Sequence, residues 1–391
     1  MNITGMGPSS PAYSPHLKVQ ARLWDIFCRV IDNFGDVGVC WRLCADLANR
    51  GQRVRLWLDD VSALRWMAPG ALEGQHANIT VHRWQEAMDS HGLQALEPAQ
   101  VWIEAFGCEI EPVFISCLRQ HSNAAPVWVN LEYLSAESFV ERAHTLPSPV
   151  MSGPAAGWTK YFYYPGLTEK TGGLLREPWI KNRQVSLTAA SQAAWLKKYG
   201  IAWEGEKLVS LFCYESGAVS GLLDALKDFG EPIHLLVTEG KAKTAVQKIL
   251  STTFESRSLK VSYLPLISQT EYDYLLWACD LNFVRGEDSL VRALWAGKPL
   301  VWQIYPQEDG VHHAKLQAFL DRMEAPPSLQ QWHLYWNGLT SQDSAKTLNA
   351  QVWAEWQSTV SAFRGRLESQ TDLTHQLIEF VEAQGEAAKK R

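Results

Sequence analysis

No window of this 391-residue chain approaches the ~20 consecutive apolar residues of a membrane-crossing helix, so no span is expected. The opening stretch MNITGMGPSSPAYSPHLKVQ is rich in Pro, Ser and Gly but has no apolar centre. That excludes a secretory signal and predicts a disordered tail over residues 1–22. An excess of basic charge is missing too. The formal net charge is −6, which argues against bulk binding of nucleic acid, whose backbone demands a basic face. Cysteine is sparse: seven residues, odd in number and scattered, make no disulfide framework and predict reduced thiols in a cytoplasmic protein. Cys40 and Cys44 stand four apart on one helix face, but no further Cys or His lies close by, so core thiols are expected rather than a metal site. There is no internal repeat or low-complexity array.

What is present is a chain long enough for two domains, with 46% hydrophobic residues to give each its own core. LWDIFCRVI reads as a strand. After a short loop, CWRLCADLANR reads as a helix stopped by Gly51, and VRLWLDD as the next strand. This is a βαβ opening. ITVHRW, AQVWIEAF and APVWVNLEYL continue the strands, so residues 23–185 are expected to form a doubly wound α/β domain. Its last part, from Ser148 to Glu177, is dense in Gly, Pro and Thr and reads as a long irregular segment. The rhythm restarts with KLVSLFCY, PIHLLVTEG and SLKVSYLPLI. A helix opens at a capping box, Ser268 with Glu271, followed by the strand LNFV, a helix ending at Gly297, and the strand KPLVWQI. Residues 186–362 are therefore expected as a second α/β domain, and the chain ends in helices.

Two loops at strand ends carry the chemistry. In LNFVRGEDSLVRALWAG the helix is expected to begin at about Asp288 or Ser289. Its free N–H groups and dipole suit a diphosphate, with Arg285 as a charge-assisted clamp and Gly286 allowing close approach. The bland reading is a plain connection capped by Ser289 or Asp288. Glu287 does not belong beside a phosphate and is expected to point elsewhere, toward a cation. The other loop, DNFGDVGVCWRL, has no G-x-G-x-x-G and carries Asp32 and Asp36. Two carboxylates repel a pyrophosphate. They attract a cation or take a proton from a nucleophile; alternatively Asp36 caps a helix starting at Val37 and Asp32 holds an Asx-turn. The residues alone leave both readings open.

DIFCRVIDNFGDVGVCWRL, PGLTEKTGGLLRE and LLWACDLNFVRGEDSLVRALWAGKPLVWQIYPQ resemble the EarP family, protein-arginine rhamnosyltransferases of bacterial elongation factor P. The similarity runs over nearly the whole chain beyond the tail. It implies an α/β GT-B fold, two Rossmann-like domains facing a cleft, with a C-terminal helix over 363–391 returning to the first. It implies dTDP-β-L-rhamnose as donor and an arginine of elongation factor P as acceptor, with inversion at the anomeric carbon and no metal or cofactor; the missing D-x-D spacing agrees. By the same resemblance Asp36 is the general base and Asp32 its partner. Arg285, Glu287, Asp288 and Ser289 form the diphosphate loop. Tyr305 in IYPQ belongs to the donor site, as does an aromatic in LFCYE, where Tyr214 is preferred over Phe212. The base pocket includes the stretch ending at Gln269. Asp32 and Glu287 are expected to help hold the cationic acceptor. Two other functions fit the same features. One is a nucleotide-diphosphate-sugar epimerase, which would consume donor without any protein acceptor. The other is a non-catalytic elongation-factor-binding module, which would have no use for the anion site around Arg285.

Overall fold

Runs of Val, Ile, Leu and aromatic residues, buried on both faces, build two parallel sheets, as near-continuous apolar strands do when helices cover both sides. The computed structural model describes residues 20–31, 34–121, 124–250, 258–307, 310–341 and 348–389. The first sheet holds β1 (Leu23–Cys28), β2 (Arg53–Leu58), β3 (Ile79–Arg83), β4 (Val101–Ala105), β5 (Val127–Leu131), β6 (Pro147–Pro149) and β7 (Thr159–Tyr163). Their order is β3-β2-β1-β4-β5-β7-β6, parallel except for the β6–β7 pair. The second sheet holds β8 (Lys207–Leu211), β9 (Ile233–Val237), β10 (Leu259–Tyr263), β11 (Leu281–Arg285) and β12 (Leu300–Gln303). Its order is β10-β9-β8-β11-β12, all parallel.

Both sheets reverse their winding beside their first strand, between β1 and β4 and between β8 and β11. Those switch points open crevices at the carboxyl ends of the strands, where ligands of doubly wound sheets bind. The loops after β1, β8 and β11 all lie there.

The segment 148–177 departs from the irregular chain expected of it. Thr159–Tyr163 pairs in parallel with β5 and in antiparallel with Pro147–Pro149. The aromatic run KYFYY has the residue types a half-buried strand needs, and its Gly- and Pro-rich flanks masked that signal. The boundaries shift as well. Ile180 packs with the second core, ahead of the expected divide at 185/186. The helix Ala350–Glu368 runs unbroken through residue 362, burying Trp356, Val360, Phe363 and Leu367 in the second core. The chain crosses at 369–372, and helix Leu373–Lys389 then buries Leu373, Leu377, Ile378 and Val381 in the first core. Arg176 donates to the carbonyls of Glu368 (2.8 Å) and Gln370 (2.9 Å), satisfying acceptors that a helix end leaves open. No helix among the described residues is long and apolar enough to cross a membrane.

Candidate active site in the interdomain cleft

On the second-domain side, β11 runs straight into a helix. That helix spans Gly286–Ala296 and so starts earlier than the expected Asp288 or Ser289. Gly286 permits this: its φ of 64° turns the chain at once, in a region that side chains disfavour. Ser289 is not the cap. Its Oγ accepts from the Arg285 N–H at 2.9 Å and donates to the Arg285 carbonyl, bolting the turn together. At the far end the helix stops at Gly297 as expected, the glycine taking a left-handed conformation with φ 66°.

Arg285 is 8% exposed. Its guanidinium carbon lies 4.5 Å from the ring centre of Phe212 and 4.3 Å from that of Tyr214. No carboxylate among the described residues forms an ion pair with it. Around it a pocket of about 690 Å³, open solvent included, is walled by Phe34, Trp66, Phe212, Tyr214, Leu266 and Tyr272. Tyr214 is fixed by its N–H, which donates to Gln303 Oε1 at 2.8 Å, and its ring meets that of Tyr305 edge-on at 5.5 Å. A planar cation held between aromatic faces, without a counter-ion among the described residues, is suited to an aromatic ligand that carries an anion.

On the first-domain side, the helix Gly35–Asn49 begins with Phe34 as its cap residue and no side-chain cap bond. Asp36 therefore does not cap a helix starting at Val37. It sits within the first turn, 2% exposed. Its Oδ2 accepts from the Ile31 N–H at 2.8 Å and its Oδ1 from the Tyr133 hydroxyl at 3.3 Å. Asp32 lies outside the described residues. Asp36 and Glu287 line one shared pocket with Tyr133, Gly286, Tyr305 and Lys315, enclosing about 870 Å³ with open solvent included. Glu287 thus lines the pocket of the opposite domain's Asp36 and not that of Arg285.

Asp288 and Gln269 are placed otherwise than a donor loop alone requires. Asp288 Oδ1 accepts from Arg42 Nε at 2.7 Å across the domain seam. Arg42 also grips Asp273 through two nitrogens, at 3.0 and 2.9 Å, and Arg292 grips the same carboxylate from the other side, at 2.9 and 2.7 Å. Arg292 further donates to Glu177. Burial pulls the Asp273 carboxyl up, but Arg292 and Arg42 outweigh it and hold the group below its ordinary pKa. For Asp288 burial wins over Arg42, and its pKa is raised. Gln269 Nε2 donates to the Gly38 carbonyl at 2.9 Å and lies 3.3 Å from Asp288 Oδ2. A Cβ on Gly38 would stand 3.1 Å from both side chains, which explains a glycine inside this helix: the other domain packs directly on its backbone. Gln269 still borders the Arg285 pocket.

Sequence reasoning missed Arg42, Asp273, Glu177 and Arg292, and also Tyr133 and Phe106. One signal was available for the first. Arg42 stands inside the otherwise apolar run VGVCWRLCA, and a charge there needs a buried partner. Among the described residues no group of three or more His, Cys, Asp or Glu is placed to hold a metal ion.

A family model described as Elongation-Factor P (EF-P) rhamnosyltransferase EarP matches residues 24–382. The chain is 39% identical over 378 residues to a protein-arginine rhamnosyltransferase of Pseudomonas putida, covering 91% of this chain and 98% of that protein. It is 38% identical over 378 residues to the protein-arginine rhamnosyltransferase of Pseudomonas aeruginosa, with the same 91% and 98% coverage. A solved structure described as the structural basis for EarP-mediated arginine glycosylation of translation elongation factor EF-P superposes with a TM-score of 0.59 at 29% identity, over 93% of this chain and 99% of that one. Arabidopsis thaliana UGT89C1 complexed with UDP superposes at 0.54 with 12% identity, covering 93% and 99%, a likeness of fold.

Proposed function

This chain belongs to the EarP family of elongation-factor P rhamnosyltransferases and is a protein-arginine rhamnosyltransferase of the GT-B fold, and from that premise we propose that it moves L-rhamnose from dTDP-β-L-rhamnose to an arginine of elongation factor P. The observation that carries this reading is the opposition across one cleft. One pocket holds an aromatic-sided Arg285 of the second domain with no carboxylate partner among the described residues; beside it a second pocket brings Glu287 of the same loop together with Asp36 of the first domain.

In this reading the thymine enters the aromatic pocket and the diphosphate meets Arg285 and the first-turn N–H groups of the Gly286–Ala296 helix. Asp288 and Ser289 contribute their backbone there, since their side chains are already engaged with Arg42 and with Arg285. Tyr305 borders the donor sugar beside Tyr214. A guanidinium is permanently charged and a poor nucleophile. Asp36 and Glu287 orient it. As the nitrogen–C1 bond forms on one face of the sugar, the C1–oxygen bond breaks on the other, and its electron pair leaves on the diphosphate. Asp36 takes the proton lost by nitrogen, with Asp32 as its partner. Arg285 stabilises the departing charge.

The direct test is mass spectrometry of elongation factor P after incubation with the protein and a panel of nucleotide sugars. A mass increase of one deoxyhexose on one arginine, with dTDP-rhamnose alone, is expected. Donor consumed without added elongation factor would favour the epimerase. Arg285→Ala should weaken dTDP binding by roughly ten- to a hundredfold, the loss of a charge-assisted contact worth ~1.5–3 kcal/mol. Isothermal titration reads this, and an unchanged affinity would remove Arg285 from the donor site. Turnover should survive EDTA, because Arg285 and the helix N-terminus supply the positive charge; activity lost to EDTA and restored by Mg²⁺ would contradict it.

A further inference from the structure

At the end of β4 the chain makes a tight turn in which the Cys108 N–H donates to the Ala105 carbonyl at 3.2 Å. Both central residues are left-handed: Phe106 at φ 57° and Gly107 at 68°. Such a turn asks for glycine or asparagine at both places, and a bulky aromatic at the first is strained. Strain of this kind persists where surrounding structure imposes it, and it collects at functional sites. Here the Phe106 ring is only 8% exposed and lies flat on the Tyr133 ring, with centroids 4.4 Å apart and planes within 15°. The Tyr133 hydroxyl is the group that donates to Asp36 Oδ1. All three residues line the same pocket.

We propose that Phe106 and Tyr133 act as positioning residues, the strained Phe106 turn pressing Tyr133 into place so that its hydroxyl holds Asp36 ionised and aimed at the acceptor nitrogen. The inference rests on the reading of Asp36 as the base. Ile31 N–H fixes one carboxylate oxygen and Tyr133 the other, so rotation of the carboxylate is stopped from both sides. Burial, with the charges of Asp36 and Glu287, holds the Tyr133 phenol above its ordinary pKa. It therefore remains a donor wherever Asp36 is ionised. The 3.3 Å contact is long for O–H···O, as catalytic hydrogen bonds often are before substrate closes the site. A hydrogen bond to the charged form favours that form. The contact supports the charged Asp36 against the like charge of Glu287 across the pocket, with Lys315 lining the same space.

Tyr133→Phe removes the hydroxyl and keeps the ring. It should leave the melting temperature and dTDP affinity unchanged, lower kcat roughly tenfold, and move the acidic limb of the kcat/KM profile upward by about one pH unit. Phe106→Gly relieves the left-handed strain while removing the ring that supports Tyr133. It should show the same loss and the same limb shift, and the double variant should be no worse than Tyr133→Phe alone, because both act through one contact. Wild-type kcat and an unmoved acidic limb in Tyr133→Phe would overturn the proposal whatever Phe106→Gly does. So would losses that multiply in the double variant. Asp36→Asn run alongside separates the two readings: if it still turns over, the base assignment fails, whereas an inactive Asp36→Asn beside an unaltered Tyr133→Phe defeats only the positioning role.

Discussion

Asp36→Asn should fold, bind dTDP and turn over about 10²- to 10⁴-fold more slowly, the usual contribution of a general base. The amide can be seated without rearrangement. Its oxygen can accept from the Ile31 N–H, and its NH₂ can face a Tyr133 hydroxyl rotated to accept. Helix capping is not at stake, since Asp36 lies past the cap position. Nucleotide binding is not at stake either, because Arg285 and its aromatic walls belong mainly to the other domain. What the amide cannot do is take the proton from nitrogen. A thermal melt, a dTDP titration and a single-turnover rate test these parts separately. A variant that melts early but transfers normally in its folded fraction would show that Asp36 serves the loop and not the chemistry.

Arg42→Met should give the largest loss of stability. Arg42 is 5% exposed, and its guanidinium binds Asp288 and Asp273. Arg292 continues to neutralise Asp273 and Glu177, but Asp288 is left a half-buried carboxylate that has lost its ion-pair partner, with Gln269 beside it and only the more distant charge of Arg292. Breaking one partner out of a buried ion network typically costs ~3–5 kcal/mol. Scanning calorimetry should show a lowered melting temperature, and Asp288→Asn in the same chain should recover part of it by removing the orphaned charge. The sign of the pH dependence follows from Asp288. Burial raises its folded pKa above the ordinary value, so its contribution to stability is present at low pH and lost as pH rises through the folded value. Without Arg42 that pKa rises further. The deficit of Arg42→Met should therefore shrink on acidification. A deficit that is constant with pH, or none at all, would mean that the seam is held by packing rather than by this network.

The alternation of strands and helices was legible in the sequence because it rests on local rules. Apolar runs such as VRLWL and LNFV, and a stop such as Gly297, are read over a few residues. The same local rules marked the two loops as candidates: a lone arginine before a glycine turn would suit an anion, and paired aspartates a cation. Where local signals conflicted the sequence misled, as in 148–177, where Gly and Pro around KYFYY hid a strand. What only the tertiary structure decided is which of these groups meet. Strand order puts the loops after β1 and β11 at two switch points that face one another, and so Glu287 shares a pocket with Asp36. The same docking draws the Asp288 side chain to Arg42 and leaves little room for a Cβ at Gly38 beside Gln269 and Asp288, while the pairing of β4 with β5 brings Tyr133 onto a strained Phe106. None of these pairs is close in sequence. Propensity and periodicity act within a helix turn or a strand, whereas a buried charge is satisfied by whatever the packing of two domains brings within about 3 Å of it.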